Sequence, residues 1–397
     1  MLVALCWVFA IPPVVALTIF SLETLLGTIP RKAKSCPGPM PTTRILIPAH
    51  NEVGTIETTL SRLDTIVSDD VRLLVVADNC SDETADLVRR AGHEVIERCD
   101  PDNRGKGFAL AFGTDHLRAG PPACVIIFDA DCETDAASIE MLAKSCVDGQ
   151  VVVQASYVLE PDRTASPKVQ ISNFAFWIKN VVRQRGGQRL RSAAVLVGTG
   201  MAFPWRIIER APLATSEIVE DLALGVHLTR TGQPPIYLEH ARVKSVAATE
   251  RATLEQRTRW ETGFVAVARS YGLRTLWDGA RTGNRKLFQL GLHLLVPPLA
   301  LLLMLSLAIA VAVGVGAWLT GEWEAFIALV LALAAAVAAV LLNWLIAGRK
   351  WLSGQALLRL PLYLLWKIPV YLRMVKGEKV GWTRTERSAD RSPETAE

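Results

Sequence analysis

The stretch CVIIFDAD, Cys124–Asp131, decides the fold, because it runs from a short apolar segment straight into two carboxylates. An apolar run of this length is typical of a strand that is buried on both faces of a sheet. Residues i and i+2 of an extended backbone point to the same side, so Asp129 and Asp131 are expected to project together from the strand end. Two carboxylates so placed suit a divalent cation, Mg²⁺ or Mn²⁺, that also binds a diphosphate, and we predict both as metal ligands. The alternative is a solvated acidic turn.

Further short apolar runs alternate with amphipathic helical stretches around this strand. We predict strands at Ile45–Ile47, Leu73–Val76 and Val95–Ile96, each followed by a helix. This alternation predicts an α/β fold with a mostly parallel sheet covered by helices on both faces. Ligands bind beyond the carboxyl ends of the strands in such sheets, and polar residues stand at those ends here, in His50–Glu52 and Asp78–Asn79.

The composition indicates that part of the chain lies in a membrane. The 397 residues are 50% hydrophobic and have a mean hydropathy of +0.27, whereas a soluble enzyme rarely averages above zero. The formal net charge of +4 identifies no partner, and nucleic acid is not expected as one. The seven cysteines form no C-x-x-C pair, which argues against structural zinc and against a disulfide framework. We expect them to be reduced and mostly buried.

Hydropathy and charge divide the chain into six segments. Basic residues follow the first and the last long apolar runs, so the positive-inside rule places the central domain in the cytosol of a multi-pass protein of the cell (inner) membrane. Near the C-terminus, charged residues and prolines interrupt a further apolar segment, which is predicted to lie in the interface of the bilayer. The segments are a transmembrane anchor (1–30), a linker (31–43), a soluble domain (44–285), a transmembrane hairpin with a kink at Pro297–Pro298 (286–348), an interfacial amphipathic helix (354–376) and a basic cytosolic tail (377–397).

Two polar motifs after the early strands are candidates for ligand contact. Asp78 can accept hydrogen bonds from a ligand, while Ser81 or Asp82 caps the next helix. Lys106 lies in NRGKG, Asn103–Gly107, at a predicted helix N-terminus, where it suits phosphate or sugar hydroxyls. This motif has neither Walker-loop nor Rossmann spacing.

Two motifs in the second half of the domain have both a structural and a functional interpretation. GTGMAF, Gly198–Phe203, follows a predicted strand at Val195–Val197, and its glycines either make a tight turn or let the backbone approach a ligand. Glu220–Asp221 opens a predicted helix, where Asp221 is either a cap or a general base.

A third motif, QRTRW, lies on a predicted helix. Gln256, Arg259 and Trp260 stand at positions i, i+3 and i+4 and therefore share one face. Together they can hold a diphosphate and stack on a sugar, and the alternative is an interface helix with an anchoring tryptophan.

In this order and spacing, the motifs resemble glycosyltransferase family 2, which comprises inverting enzymes with a GT-A domain such as cellulose, chitin and hyaluronan synthases. The blocks that carry the resemblance to its bacterial exopolysaccharide branch are PAHNE (Pro48–Glu52), VADNCSDETA (Val76–Ala85) and RGKGFAL (Arg104–Leu110). The resemblance implies a cytosolic, Rossmann-like GT-A domain between N-terminal and C-terminal transmembrane helices. It also implies transfer of a sugar from a nucleotide-sugar, a UDP-sugar, to a saccharide or lipid-linked acceptor.

The resemblance further implies a role for each matching position. Asp221 would be the general base, Asp131 would hold the metal, and Asp129 would contact both metal and nucleotide. The other nucleotide-sugar-binding residues would be Pro48, His50, Glu52, Asp78, Lys106, Arg259 and Trp260. The acceptor-binding residues would be Gly198, Thr199, Gly200, Met201, Gln256 and Trp260.

The membrane portion departs from that of polymer synthases. Three predicted spans could hardly enclose a polymer channel, which favours a lipid-linked acceptor, a homo-oligomer or a partner in a synthase complex. The alternative enzymatic prediction is a lipid glycosyltransferase acting on a polyprenyl phosphate or a ceramide-like acceptor. A non-catalytic nucleotide-binding partner of a synthase complex and a nucleotidyltransferase are the alternatives from other classes.

Overall fold

The computed structural model describes residues 1–32, 37–217, 219–245 and 250–375. The predicted basic tail and residues 33–36 of the predicted linker therefore lie outside the described residues. The six cysteines within the described ranges form no disulfide.

The described strands form one eight-stranded sheet. They are β1 (Thr43–Ala49), β2 (Val71–Asp78), β3 (Glu94–Arg98), β4 (Cys124–Ile127), β5 (Cys132–Thr134), β6 (Val153–Leu159), β7 (Met201–Pro204) and β8 (Ile236–Ser245). The α-helices are α1 (Leu2–Leu26), α2 (Ile56–Leu63), α3 (Thr84–Arg90), α4 (Lys106–Leu117), α5 (Ala136–Gly149), α6 (Pro167–Trp177), α7 (Gln184–Arg189), α8 (Trp205–Ile208), α9 (Glu220–Arg230), α10 (Glu250–Thr282), α11 (Arg285–Leu294), α12 (Leu299–Thr320), α13 (Glu324–Ile346), α14 (Gly354–Leu358) and α15 (Leu360–Val375).

The described chain divides into two compact units. The sheet unit comprises Arg31–Glu160 and Ala193–Gly263, and the helical unit comprises Met1–Pro30, Pro161–Ser192 and the chain from Phe264. These bounds differ from the predicted soluble domain, 44–285, mainly because Pro161–Ser192 belongs to the helical unit. Most side chains of α6 and of the π-helix that follows it are buried. A helix that is buried on all sides lies in the interior of its unit, unlike a surface helix that buries one face.

The sheet confirms the predicted α/β class. Its strand order is β3-β2-β1-β4-β7-β6-β8-β5, and the first four strands are parallel. β7 runs antiparallel to β4 and to β6, and β5 runs antiparallel to β8. Because β1 pairs with both β2 and β4, the strand order changes direction beside β1. Sheets of this kind bind ligands in a crevice at the carboxyl ends of the strands where the order changes.

Helix α4 lies unusually close to the sheet. A Cβ added at Gly113 would meet Leu46 Cδ1 at 2.5 Å and Val76 Cγ2 at 2.9 Å, so only glycine allows this approach to β1 and β2. Leu110 and Leu117 of the same helix belong to the buried core on this side of the sheet. The packing fixes the N-terminus of α4, where Lys106 stands.

The helical unit contains three helices that are long and apolar enough to cross a membrane. They are α1, α12 and α13, as predicted for the anchor and the hairpin. The predicted hairpin, 286–348, differs in its first part: α11 is a separate helix that ends at Leu294, and α12 begins at Leu299. Pro297 and Pro298 break the helix where a kink was predicted, because proline cannot donate the backbone hydrogen bond and disfavours helix in the residue before it.

The segment predicted as one interfacial helix, 354–376, forms two helices, α14 and α15. Lys367 is fully buried, with its ammonium over the ring of Tyr363 at 5.9 Å. Arg359 and Arg373 are exposed, as are Leu358, Leu362 and Leu365. Placement of this segment in the interface of the bilayer stays a prediction.

Candidate active site

The carboxyl ends of β1 and β2 hold four of the predicted donor-binding residues. Pro48 lies within β1, and His50 and Glu52 follow that strand, whereas Asp78 ends β2. His50 Nδ1 lies 2.7 Å from the Asp78 carbonyl oxygen, which joins the two strand ends. The Glu52 carboxylate accepts a hydrogen bond of 2.7 Å from Thr55, the residue before α2. The structure therefore brings this group together within the sheet unit.

Two asparagines shape the turns after these strands. Asn51 has φ 53° and Asn79 has φ 51°, a left-handed conformation that asparagine tolerates better than most residues. Asn51 Oδ1 accepts from the Ser81 N–H at 2.8 Å, and Asn79 Oδ1 accepts from the Asp100 N–H at 2.8 Å. The sequence analysis had assigned neither asparagine a role. Their placement directly after two strands was the available signal.

Asp78 is engaged by an arginine that the sequence analysis missed. Arg98, at the end of β3, donates to Asp78 Oδ1 at 2.6 Å and pairs with Asp100 at 2.8 Å. Asp78 is buried, so contact between its carboxylate and a ligand remains a prediction. The N-cap of α3 is Glu83, which makes no side-chain cap hydrogen bond, and not the predicted Ser81 or Asp82. Asp82, one residue earlier, accepts from the Thr84 N–H at 3.0 Å.

The D-x-D carboxylates lie in a turn, which corrects the expected extended strand end. β4 ends at Ile127, and the Cys132 N–H donates to the Asp129 carbonyl at 3.1 Å. The Thr59 hydroxyl holds the middle of this turn by donating to the Ala130 carbonyl at 2.6 Å. Asp129 and Asp131 are thus brought together by a β-turn and not by strand alternation.

The donor atoms of this turn fit a hard divalent cation. Carboxylate oxygens of Asp129 and Asp131 and the sulfur of Cys132 lie within 4.8 Å of one another. Burial and the charge of Asp131 raise the pKa of the Cys132 thiol well above its ordinary value, so the sulfur stays protonated and is a poor ligand. Two carboxylates, with remaining positions open to water and phosphate, match the coordination that Mg²⁺ prefers.

Lys106 lies against the D-x-D turn and joins it to the loop Gly198–Met201, which is called the acceptor loop below. Its ammonium forms a short ion pair with Asp129 Oδ1 and donates to the Gly198 carbonyl at 2.6 Å. Burial would lower the pKa of Lys106, but the negative charges of Asp129 and Glu220 outweigh burial and hold that pKa above its ordinary value. The lysine is therefore a fixed positive charge among carboxylates.

The loop Gly198–Met201 lies beside these groups, but the strand predicted before it is absent. Val195–Val197 is not assigned to a strand, and the Val197 N–H donates to the Gln154 side chain at 3.0 Å. The same side chain donates to the Thr199 carbonyl at 2.9 Å, so a fully buried glutamine ties this segment to the loop that follows it. The strand of this region is β7, which begins at Met201. Gln154 is a polar residue within the apolar run VVVQAS, and that position was the available sign that its side chain has a structural role.

The predicted base lies at the same place. Helix α9 begins at Glu220, as predicted, and a Cβ added at Gly198 would lie 3.3 Å from Asp221 Oδ2 and 3.4 Å from Lys106 Nζ. Thr199 Oγ1 accepts from the Asp129 N–H at 3.1 Å. The metal-binding turn, Lys106, the acceptor loop and Asp221 thus converge within one unit.

Glu220 supplies a test of this electrostatic arrangement. Burial and the neighbouring charge of Asp221 raise the pKa of Glu220 to about 8. A carboxyl whose pKa is raised in the folded state makes folding take up a proton, so its contribution to stability is full below the ordinary pKa of 4.5 and falls as the pH rises to about 8. We expect Glu220→Gln in detergent-solubilised protein to reduce the drop in Tm between about pH 5 and about pH 8.5 by about 3 °C or more. Parallel curves for the variant and the wild type would contradict this expectation, and Glu57→Gln, on the exposed face of α2, is the control.

Helix α10 carries the Q-x-x-R-W set. Gln256, Arg259 and Trp260 are all half-buried, and Arg257 lies over the ring of Trp260 at 4.7 Å. Burial lowers the pKa of Arg259, while the charge of Glu220 opposes that shift. Arg259 is thus within electrostatic reach of the start of α9.

A glycine accounts for this proximity. A Cβ added at Gly263 would meet Val219 Cγ1 at 2.8 Å, so glycine lets α10 pack closely against the residue before α9. The contact of Arg257 with Trp260 was missed because the prediction considered only the helix face shared by Gln256, Arg259 and Trp260. An arginine three residues before a tryptophan on a helix can also stack on its ring.

Residues 44–209 match the family described as Glycosyl transferase family 2. The match covers less than half of the chain. This stretch includes the β1 and β2 turns, Lys106, the D-x-D turn and the Gly198–Met201 loop. It ends before Asp221 and α10, so the roles of those residues remain predictions.

The chain also resembles two curated glycosyltransferases. A probable glycosyltransferase, YdaM, of Bacillus subtilis (strain 168) is 27% identical over 242 residues, which are 56% of this chain and 55% of that protein. The glycosyltransferase AglD of Haloferax volcanii is 30% identical over 129 residues, which are 30% of this chain and 20% of that protein. The chain thus spans about half of the first relative and a fifth of the second.

A solved structure resembles the chain over nearly its whole length. The mannosyltransferase PcManGT from Pyrobaculum calidifontis, determined in complex with GDP-Man and Mn²⁺, covers 96% of this chain with a TM-score of 0.58, and the match spans 100% of that chain. Sequence identity is 19%, so the likeness is one of fold. It agrees with the predicted GT-A class.

Proposed function

We propose that the chain is a membrane-bound, inverting glycosyltransferase that moves a sugar from a nucleotide-sugar to an acceptor hydroxyl. The observation that carries the proposal is the convergence of the D-x-D turn, Lys106, the Gly198 loop and Asp221 at the carboxyl ends of the sheet. The turn suits a cation and diphosphate, and the loop with Asp221 suits an acceptor. Transfer of a group between two substrates needs a site that binds both the donor and the acceptor.

The chain's own residues account for each step. Asp221 accepts the proton of the acceptor hydroxyl, the oxygen forms the new bond to the anomeric carbon, and the bond from that carbon to the diphosphate breaks. Attack opposite the leaving group inverts the anomeric centre. Asp129 and Asp131 hold Mg²⁺ or Mn²⁺, which when bound neutralises charge on the diphosphate. Arg259 is placed to contribute a further positive charge.

The acceptor and membrane setting belong to the same proposal. Helices α1, α12 and α13 support anchorage in the cell (inner) membrane, and the basic residues that follow the first and last spans support a cytosolic family 2 domain. The acceptor we propose is a saccharide or lipid-linked hydroxyl, because a base at Asp221 serves a hydroxyl and a phosphate acceptor needs none. The exopolysaccharide-type blocks PAHNE and RGKG support a role in exopolysaccharide assembly, with a homo-oligomer or synthase-complex partner to supply any polymer channel.

A donor screen on the purified full-length protein tests the proposal. UDP- and GDP-sugars are offered with Mn²⁺ or Mg²⁺, and nucleotide release is followed by product mass in aqueous and organic extracts. We expect acceptor-dependent release with one donor class, most simply a UDP-sugar, and its loss in EDTA. The GDP-Man complex of PcManGT makes GDP-mannose the matched comparison donor. Absence of release with every donor, or release unaffected by EDTA, would overturn the proposal.

A further inference from the structure

Lys106 has an unusually constrained backbone for a surface lysine. Gly105 before it has φ 130°, which only glycine adopts readily, and a Cβ added at Gly107 would meet the Leu213 carbonyl oxygen at 2.4 Å. The Cα of Lys106 is therefore fixed at the N-terminus of α4 from both sides. The RGKG block serves first to hold this one side chain in place.

The fixed side chain reaches both halves of the site. Its ammonium is in short contact with Asp129 Oδ1 and lies 2.6 Å from the Gly198 carbonyl. A Cβ on Gly198 would be within 3.4 Å of that ammonium and within 3.3 Å of Asp221 Oδ2. Lys106 thus stands between the predicted metal ligands and the predicted base.

A cation in this position competes with a metal for the same carboxylate. Asp129 Oδ1 is in contact with an ammonium, and a metal would bind a carboxylate oxygen of the same residue. A unit positive charge in contact with one ligand repels a divalent cation strongly in a partly buried site. A bound diphosphate adds negative charge and offsets that repulsion.

We propose that Lys106 is a positioning residue that acts as an internal counter-cation: it competes with a metal for Asp129 and makes metal binding depend on the nucleotide. The inference rests on the proposed function in taking Asp129 and Asp131 as metal ligands. In this inference Lys106 binds the carboxylates and the acceptor loop. The sequence had instead predicted that Lys106 contacts the nucleotide directly. A positive charge, from Lys106 or from a metal, then always offsets the repulsion among the four carboxylates of Asp129, Asp131, Glu220 and Asp221.

Binding of Mn²⁺ alone tests the inference. The free ion is measured by electron paramagnetic resonance with full-length protein in detergent and no nucleotide. We expect Lys106→Met to bind Mn²⁺ at least about tenfold more tightly than the wild type, because the competing charge is gone. Lys106→Gln keeps a donor for the Gly198 carbonyl and should show the same gain, which separates charge from hydrogen bonding and decides the matter if Lys106→Met does not fold.

Two controls keep the charge argument specific. Lys106→Arg retains the positive charge and should stay within about threefold of the wild type. Lys144→Met removes a buried lysine of α5 that pairs with Glu140 elsewhere in the sheet unit, and it should leave Mn²⁺ affinity unchanged. With UDP or GDP added, we expect the gain in affinity caused by the nucleotide to be smaller in Lys106→Met than in the wild type.

The outcomes separate this inference from the proposed function. Equal or weaker Mn²⁺ binding by both neutral variants, with the wild type binding normally, would overturn only the role of Lys106. Absence of Mn²⁺ binding by the wild type and by both neutral variants, with and without nucleotide, would overturn the metal site and the proposed function with it.

Discussion

Asp221→Asn should lower the turnover number for sugar transfer by about 10²–10⁴-fold, the range that a general base contributes. The amide keeps the shape of the side chain and can still accept from the Leu222 N–H, which lies 2.8 Å from Asp221 Oδ1. It cannot take the acceptor proton. KM for the donor should change little, because Asp221 is not among the predicted donor-binding residues.

Initial rates over a range of donor concentrations give kcat and KM for this variant. Asp115→Asn is the matched control, since Asp115 lies on the exposed side of α4, where it pairs with Arg118 at 3.0 Å. A turnover number near the wild-type value would remove Asp221 as the base. If the product then extracted into organic solvent as a sugar phosphodiester, the acceptor would be a polyprenyl phosphate, which needs no base.

Asp131→Asn should lower transfer by about 10³-fold, since several kcal/mol of charge stabilisation at the leaving diphosphate depend on the metal. The substitution removes one of the two carboxylates that come within 4.8 Å of each other. A neutral amide leaves Asp129, which already pairs with Lys106, as the remaining carboxylate of the turn. We therefore expect Mn²⁺ affinity and activity to fall together.

Two measurements check this second prediction. Mn²⁺ titrations should show weakened binding, and the rise in Tm produced by Mn²⁺ with nucleotide should disappear. Asp148→Asn, on the exposed end of α5, is the control for loss of a carboxylate in the same unit. Wild-type activity of Asp131→Asn in the presence of EDTA would rule out the metal role.

Periodicity and local chemistry were enough to predict much of the fold. The apolar runs that became β1, β2 and β4 were found because a strand buried on both faces is apolar at every position. The start of α9 at Glu220 followed from local rules for helix ends. Three candidate spans were found because a bilayer requires about 20 apolar residues in a row, whatever surrounds them.

The predictions were wrong where the structure depends on contacts between residues far apart in the chain. Val195–Val197 looked like a strand because it is apolar, but the side chain of Gln154 ties this segment to the loop that follows it. The D-x-D pair was correctly expected to be adjacent, yet a β-turn and not strand alternation brings the carboxylates together. Burial of Lys367 was missed because local hydropathy treats every lysine as exposed.

For the site itself, the sequence determined which residue types are present and where each stands relative to the nearest strand or helix. It therefore determined the carboxylates, the lysine, the glycine loop and the family 2 motifs. Only the tertiary structure decided that Lys106 joins Asp129 to Gly198 beside Asp221, because those residues are far apart in the chain and meet through packing of α4, β4, β7 and α9. Local interactions act over a few residues, so they can fix a strand end or a helix start, whereas the distance between two such ends depends on the packed core.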